Sequence, residues 1–265
     1  MASTHSPDFL MGCVQTTKDV KVVRLEYSGG KSRGRVVDSE KLSIFLGHPL
    51  MRSTNVVAGL FYDGVVVTES DNDRVFYSEI FHRLTLQDDS LPSILFLNAQ
   101  NKQTTREIIG PLREFGVPAT AIVDIDFIKD GGADWLAAAQ VPQPLHIGIG
   151  QQRSAVKVLL ETAGGDMKRD GGVELLTNGN RLATDQLFDT LDDYGVFVVR
   201  RGEMEGWLPH LKVPGRKTKW TIAMLERLGS EPSNPDYVHP ASGDVWGFVR
   251  KIATWIQNPS RRGLT

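Results

Sequence analysis

The clearest signal along the chain is a change of hydrophobic period. Val65-Val66-Val67-Thr68, Ser93–Leu97 and Pro118–Val123 are short continuous apolar runs, the pattern of strands buried on both faces. Between them, residues 72–84 place Val75, Phe76, Ile80 and Leu84 at helical spacing, and residues 103–115 do the same with Ile108, Ile109, Leu112 and Phe115. The order β-α-β-α-β predicts parallel strands joined by right-handed crossovers. After Asp126 the rhythm breaks, and it returns only at Gly195–Val199.

The flanks carry weaker patterns. Val20–Leu25 and Gly34–Val37 alternate around a glycine-rich turn over 28–33, which predicts a β-hairpin. Residues 39–47 and 49–60 read as helical, with Pro49 at a first-turn position. Between the third and fourth core strands, helical segments near 133–140, 151–163 and 183–193 are punctuated by Gly164-Gly165 and Gly171-Gly172. Two more helices are expected over 217–229 and 243–257. The organisation expected is an arm over 1–60, a core over 61–126 and 195–220, a helical insertion over 127–194 and a C-terminal helical region over 221–265. The fold class is α/β, with a mostly parallel four-stranded sheet flanked by helices.

Composition narrows the function classes. In 265 residues, 40% are apolar and 23% charged, which excludes disordered, collagen-like and membrane-embedded chains. The single cysteine, Cys13, makes no internal disulfide and no cysteine-rich zinc site, and a reducing cytoplasm is the expected compartment. No apolar run approaches the roughly 18 residues of a membrane span, so no membrane partner is expected. The net charge of −2 excludes coating of DNA by bulk positive charge and leaves room for a local basic patch.

Chemistry concentrates at strand ends. Glu69-Ser70-Asp71-Asn72-Asp73 follows the first core strand, Asp124-Ile125-Asp126 the third, and Gly202-Glu203-Met204-Glu205 the fourth. In a parallel sheet the C-terminal strand ends lie together, where open α/β folds bind ligands. Carboxylates gathered there repel unless a cation neutralises them, and hard oxygen donors suit Mg²⁺ or Mn²⁺. Glu69, Asp71, Asp73, Asp124, Asp126, Glu203 and Glu205 are the candidate ligands, although Asp71 also fits a helix N-cap. Residues 200–219 add Arg200, Arg201, Lys212, Arg216, Lys217 and Lys219 against Glu203 and Glu205, a local charge of six minus two, or +4. That strip is a candidate grip for a phosphate backbone.

These residues together resemble the Toprim domain: a strand ending in glutamate, acidic residues opening a helix, and a later strand ending in Asp-x-Asp. Val65–Tyr77 and Gly202-Glu-Met-Glu-Gly-Trp-Leu208 resemble the OLD-family nucleases (overcoming lysogenization defect), class 2. Asn98–Lys102 sits where that family often has a glycine-rich turn ending in lysine, with Asn101 in a glycine's place. Thr4-His5-Ser6-Pro7 is similar to the switch-histidine loop that closes an ABC-type ATPase domain, while no G-x-x-x-x-G-K-[ST] pattern occurs in this chain.

The resemblance implies the C-terminal part of an ATP-dependent endonuclease, with DNA as substrate and an ATPase domain as partner in a longer protein. A homodimer would form through the missing part. It implies two Mg²⁺ or Mn²⁺ ions about 4 Å apart. Glu69 and Asp73 would share ligation with Asp124, while Asp126 and Glu203 or Glu205 would hold the second ion. Lys217 or Lys219, then Lys102, would stabilise the charged transition state. Two other readings compete: a degenerate Toprim module that binds DNA without turnover, and a phosphatase using Asp124-x-Asp126.

Overall fold

The computed structural model of the protein describes residues 1–17, 20–28, 31–47, 55–129 and 132–264. At its centre are four parallel strands: β3 (Gly64–Thr68), β4 (Ile94–Asn98), β5 (Ala119–Asp124) and β6 (Val196–Val199), following the hairpin strands β1 (Val22–Ser28) and β2 (Lys31–Val37). The spatial order is β4-β3-β5-β6. The registers bring Val67 level with Leu97 and Ala121, and Asp124 level with Val199. The α/β class and the parallel sheet expected from the patterning are present, in an arrangement consistent with a Toprim-like core.

The continuous apolar runs are explained by two cores. Val65, Val67, Ala121, Val123 and Val198 point to one face, and Val66, Phe96, Ile122, Phe197 and Val199 to the other. Successive strand side chains alternate between faces, so a strand covered on both sides is apolar at every position. Helix α3 (Asp71–Thr85) joins β3 to β4 and packs on the second face through Phe76, Tyr77 and Ile80. Helix α4 (Lys102–Glu114) carries the chain back past β3 to β5 and packs on the first face through Ile108, Ile109 and Leu112. Chain movement in opposite directions with helices on opposite faces is what right-handed crossovers require.

The first face is further covered by α5 (Ala133–Ala138), α6 (Gln143–Glu161) and α7 (Asn178–Asp193), and its core extends to Leu10, Leu42, Phe45 and Leu60 of the N-terminal arm. The second face is completed by α8 (Lys217–Leu228) and α9 (Asp244–Gln257), whose Trp220, Met224, Trp246, Val249 and Ile252 are buried against it. The C-terminal helices therefore complete, together with α3, one of the two layers covering the sheet.

At the N-terminus, α1 (Pro7–Thr16) has Ser6 as its N-cap and Pro7 in its first turn, a helix that the periodicity of the opening residues had not suggested. The hairpin forms with longer strands than expected: of the turn expected over 28–33, Ser28 and residues 31–33 belong to the strands, and residues 29–30 lie outside those described. Helix α2 (Ser39–Gly47) follows. The first half of the helix expected over 49–60, with Pro49, lies outside the described residues, and its described end, Val56–Phe61, is a 3-10 segment instead of an α-helix. The hairpin is fastened to the core by Arg24, whose buried guanidinium donates to the carbonyls of Leu60 (3.0 Å), Gly116 (3.3 Å) and Tyr62 (2.9 Å).

Candidate functional site

Each strand end delivers its acidic group by a different local device. Past β3 the chain stays extended through Ser70, which caps α3 by accepting from the Asp73 N–H at 3.3 Å. The same hydroxyl donates to the Asp73 carboxylate at 2.6 Å, fixing it toward the sheet. Glu69 turns back under this cap and accepts from the backbone N–H of Asp124 at 3.2 Å. Past β5, a 3-10 segment over Ile125–Lys129 buries Ile125, Phe127 and Ile128, so Asp124 and Asp126 share the polar side. Past β6, Gly202 at φ +104° allows the reversal that presents Glu203 and Glu205.

The result is six half-buried carboxylates at the C-terminal edge of the sheet: Glu69, Asp73, Asp124, Asp126, Glu203 and Glu205. They surround the place where the chain leaves β3 for β4 on one side and reaches β5 on the other, the topological switch point of the sheet. Asp71 is not among them. It lies exposed on the outer side of α3, paired with Arg74 at 3.0 Å and stabilising the helix start instead.

Three cations meet the six acids. Lys102, the first residue of α4 after its Asn101 cap, donates to Asp126. Lys168 lies 2.7 Å from Asp124 and 3.5 Å from Asp126. Arg216 pairs with Glu203. With all six ionised, six minus three would leave three negative charges unpaired, so the site resists full ionisation. The electrostatics reflect it: burial, then repulsion from Asp124, pushes the Glu69 carboxyl up to about 8. The same two causes push Asp73 up to about 7. Burial also raises Asp124, against the downward pull of Lys168. Burial raises Glu203 as well, with Glu205 adding to the effect. Behind them, Tyr77 is fully buried beside Asp73, its hydroxyl accepting from the Trp207 indole at 2.9 Å. That bond locks α3 to the loop carrying Glu205.

Hard oxygen donors in negative excess suit a divalent cation of the Mg²⁺ or Mn²⁺ type. As the side chains stand, among the described residues no group of three such donors is arranged to hold an ion.

The basic strip separates into two classes. Arg200 is turned inward, bridging Asp185 (2.9 Å), Asp189 (2.8 Å) and Asp192 (3.0 Å), two of which Lys251 also contacts. Arg201 pairs with Glu174 at 3.3 Å and lies 3.8 Å from Asp244. Both hold the molecule together, and Arg216 is engaged by Glu203, so the +4 seen in the sequence is not a free positive surface. Lys212, Lys217 and Lys219 have exposed side chains. Lys217 touches the acidic group through its backbone, donating to Glu205 at 2.7 Å.

Lys168 is the site residue that the sequence did not disclose. It lies 42 residues beyond Asp126, between helices of a segment with no motif, and nothing in its neighbours marks it. No protein-family model, curated protein or solved structure matches this chain.

Proposed function

We propose that the chain is the nuclease part of a larger ATPase–nuclease and cleaves DNA phosphodiester bonds with Mg²⁺ or Mn²⁺. The observation that carries this reading is the convergence of Glu69, Asp73, Asp124, Asp126, Glu203 and Glu205 at the switch point of a parallel sheet, with more negative charge than their three cations offset. Bound divalent metal would supply Lewis-acid stabilisation of the phosphate and an activated water. Glu69, Asp73 and Asp124 would hold it on one side, and Asp126 with Glu203 or Glu205 on the other.

The chain's own groups have separate tasks. Ser70 and the Asp124 N–H orient the Asp73 and Glu69 carboxylates before metal arrives. Exposed Lys212, Lys217 and Lys219, beside the acidic edge, would steer and grip the DNA backbone. Lys102, held on Asp126, is close enough to the acids to offset developing negative charge.

The test is plasmid nicking with Mg²⁺ or Mn²⁺ by the wild type, Glu69→Ala and Asp126→Ala. Cleavage by the wild type and loss of it in both variants is expected. Equal cleavage by all three removes the reading, and metal binding with no turnover would favour a degenerate Toprim module instead.

A further inference from the structure

The turn that carries Lys168 is built to hold it in place. Asp166 accepts from the backbone N–H groups of Lys168 (2.9 Å) and Arg169 (3.3 Å), and its own N–H donates to the Asp170 carboxylate at 2.8 Å. Met167 anchors the turn in the first-face core. On its other side, the turn lies backbone-to-backbone against the loop after β6. A Cβ on Gly202 would fall 2.1 Å from the Lys168 carbonyl oxygen, and one on Gly172 would fall 2.1 Å from that of Arg200. The N–H of Val173 donates to the Arg200 carbonyl at 2.9 Å, and that of Ile125 to the Gly202 carbonyl at 2.8 Å. The backbone of Lys168 thereby lies against Gly202, whose carbonyl is bonded to Ile125, and the Gly172 contact seats the following turn on the same loop.

From that anchor the ammonium reaches the point where three carboxylates from two strand ends converge: Asp124 at 2.7 Å, Asp126 at 3.5 Å and Glu203 at 4.0 Å. The same carboxylates do not, as they stand, form a ligand set for an ion. A positive charge already sits where a cation would.

We propose that Lys168 is a resident counter-ion of this site, displaced by a divalent cation when one binds Asp124, Asp126 and Glu203. The proposal rests on the reading of those carboxylates as metal ligands. The exchange swaps salt bridges for coordination bonds, and the lysine keeps its proton. A lysine stem with four rotatable carbons can swing aside while its clamped backbone stays put. The device keeps an acid-rich pocket assembled without metal, and it sets a concentration threshold below which metal does not enter.

Two measurements on the whole chain test it. In calorimetric Mn²⁺ titrations, Lys168→Met is expected to bind Mn²⁺ roughly tenfold or more tightly than the wild type, since a unit charge competing at contact distance has been removed. Lys168→Arg keeps the charge and is expected not to gain affinity. An unchanged or weaker affinity in folded Lys168→Met overturns the proposal. In the wild type, acetylation of Lys168 followed by mass spectrometry is expected to speed up when Mn²⁺ is added, and an unchanged rate overturns it independently of any variant. Exchange observed without plasmid nicking would leave the counter-ion role standing and remove the nuclease reading. Absence of Mn²⁺ binding in the wild type and Lys168→Met would remove both.

Discussion

The Glu69 carboxylate accepts a hydrogen bond from the backbone N–H of Asp124 at 3.2 Å, joining the end of β3 to the end of β5 through a side chain of the site itself. That bond lowers the cost of charging Glu69, yet burial and the Asp124 carboxylate outweigh it. The acidic edge is thus held in a state that its own charges oppose.

Stability without metal should therefore fall as pH rises. Glu69 titrates at about 8 when folded against an ordinary 4.5, and Asp73 at about 7 against 3.8. Between those values the folded chain binds more protons at these two groups than the unfolded one, so the stability they contribute is fully present below the unfolded pKa values and is lost as pH climbs through the folded ones. Thermal melts in chelator are expected to show a lower melting temperature at about pH 8.5 than at about pH 5.5. Glu69→Gln should flatten that slope. A variant as pH-sensitive as the wild type would contradict the assignment.

Arg113 should be among the most sensitive structural positions. It is fully buried, and its guanidinium donates to the carbonyls of Ala119, Ala139, Tyr194 and Gly263. Burial pushes it down to about 9. It ties the start of β5, the end of α5, the end of α7 and the C-terminal tail into one joint. Arg113→Ala strands those acceptors, and urea denaturation is expected to show a loss of roughly 3 kcal/mol or more.

Gly202→Ala should couple stability to the site. The new methyl meets the Lys168 carbonyl, and φ +104° disfavours any side chain there, so a loss of about 1–3 kcal/mol is expected by the same denaturation. Because the clash moves Lys168, Mn²⁺ affinity should change as well. Gly179→Ala, where a Cβ meets nothing within 4 Å, serves as the control.

Basic residues of the 200–219 segment should divide by role. Lys217→Ala and Lys219→Ala are expected to weaken DNA binding, each reducing the salt slope by about one. Arg200→Ala should instead lower the melting temperature, since it removes the guanidinium that bridges Asp185, Asp189 and buried Asp192 and leaves Lys251 alone to offset the last two. Fluorescence anisotropy at several salt concentrations, beside melts, separates the two.

Much of this architecture was legible along the chain. Apolar runs at 65–68, 93–97 and 118–123 specified buried strands, because a strand covered on both faces cannot alternate, and the intervening 3.6-residue spacing specified the crossovers. Since parallel strands end on one side, the three acidic clusters could be placed together without coordinates. What tertiary structure alone decided is the fate of each charge. Asp71 and Asp73 are two residues apart, but a helix turns successive positions by about 100°, so one faces solvent and the other the site. Arg200 lies next to the acidic loop in sequence, yet three aspartates of α7 draw it inward. Lys168 lies far from every motif and enters the site because two glycines let its turn lie against the loop after β6. Charge and period are properties of local sequence, whereas the partner of a charge is set by packing between segments distant along the chain.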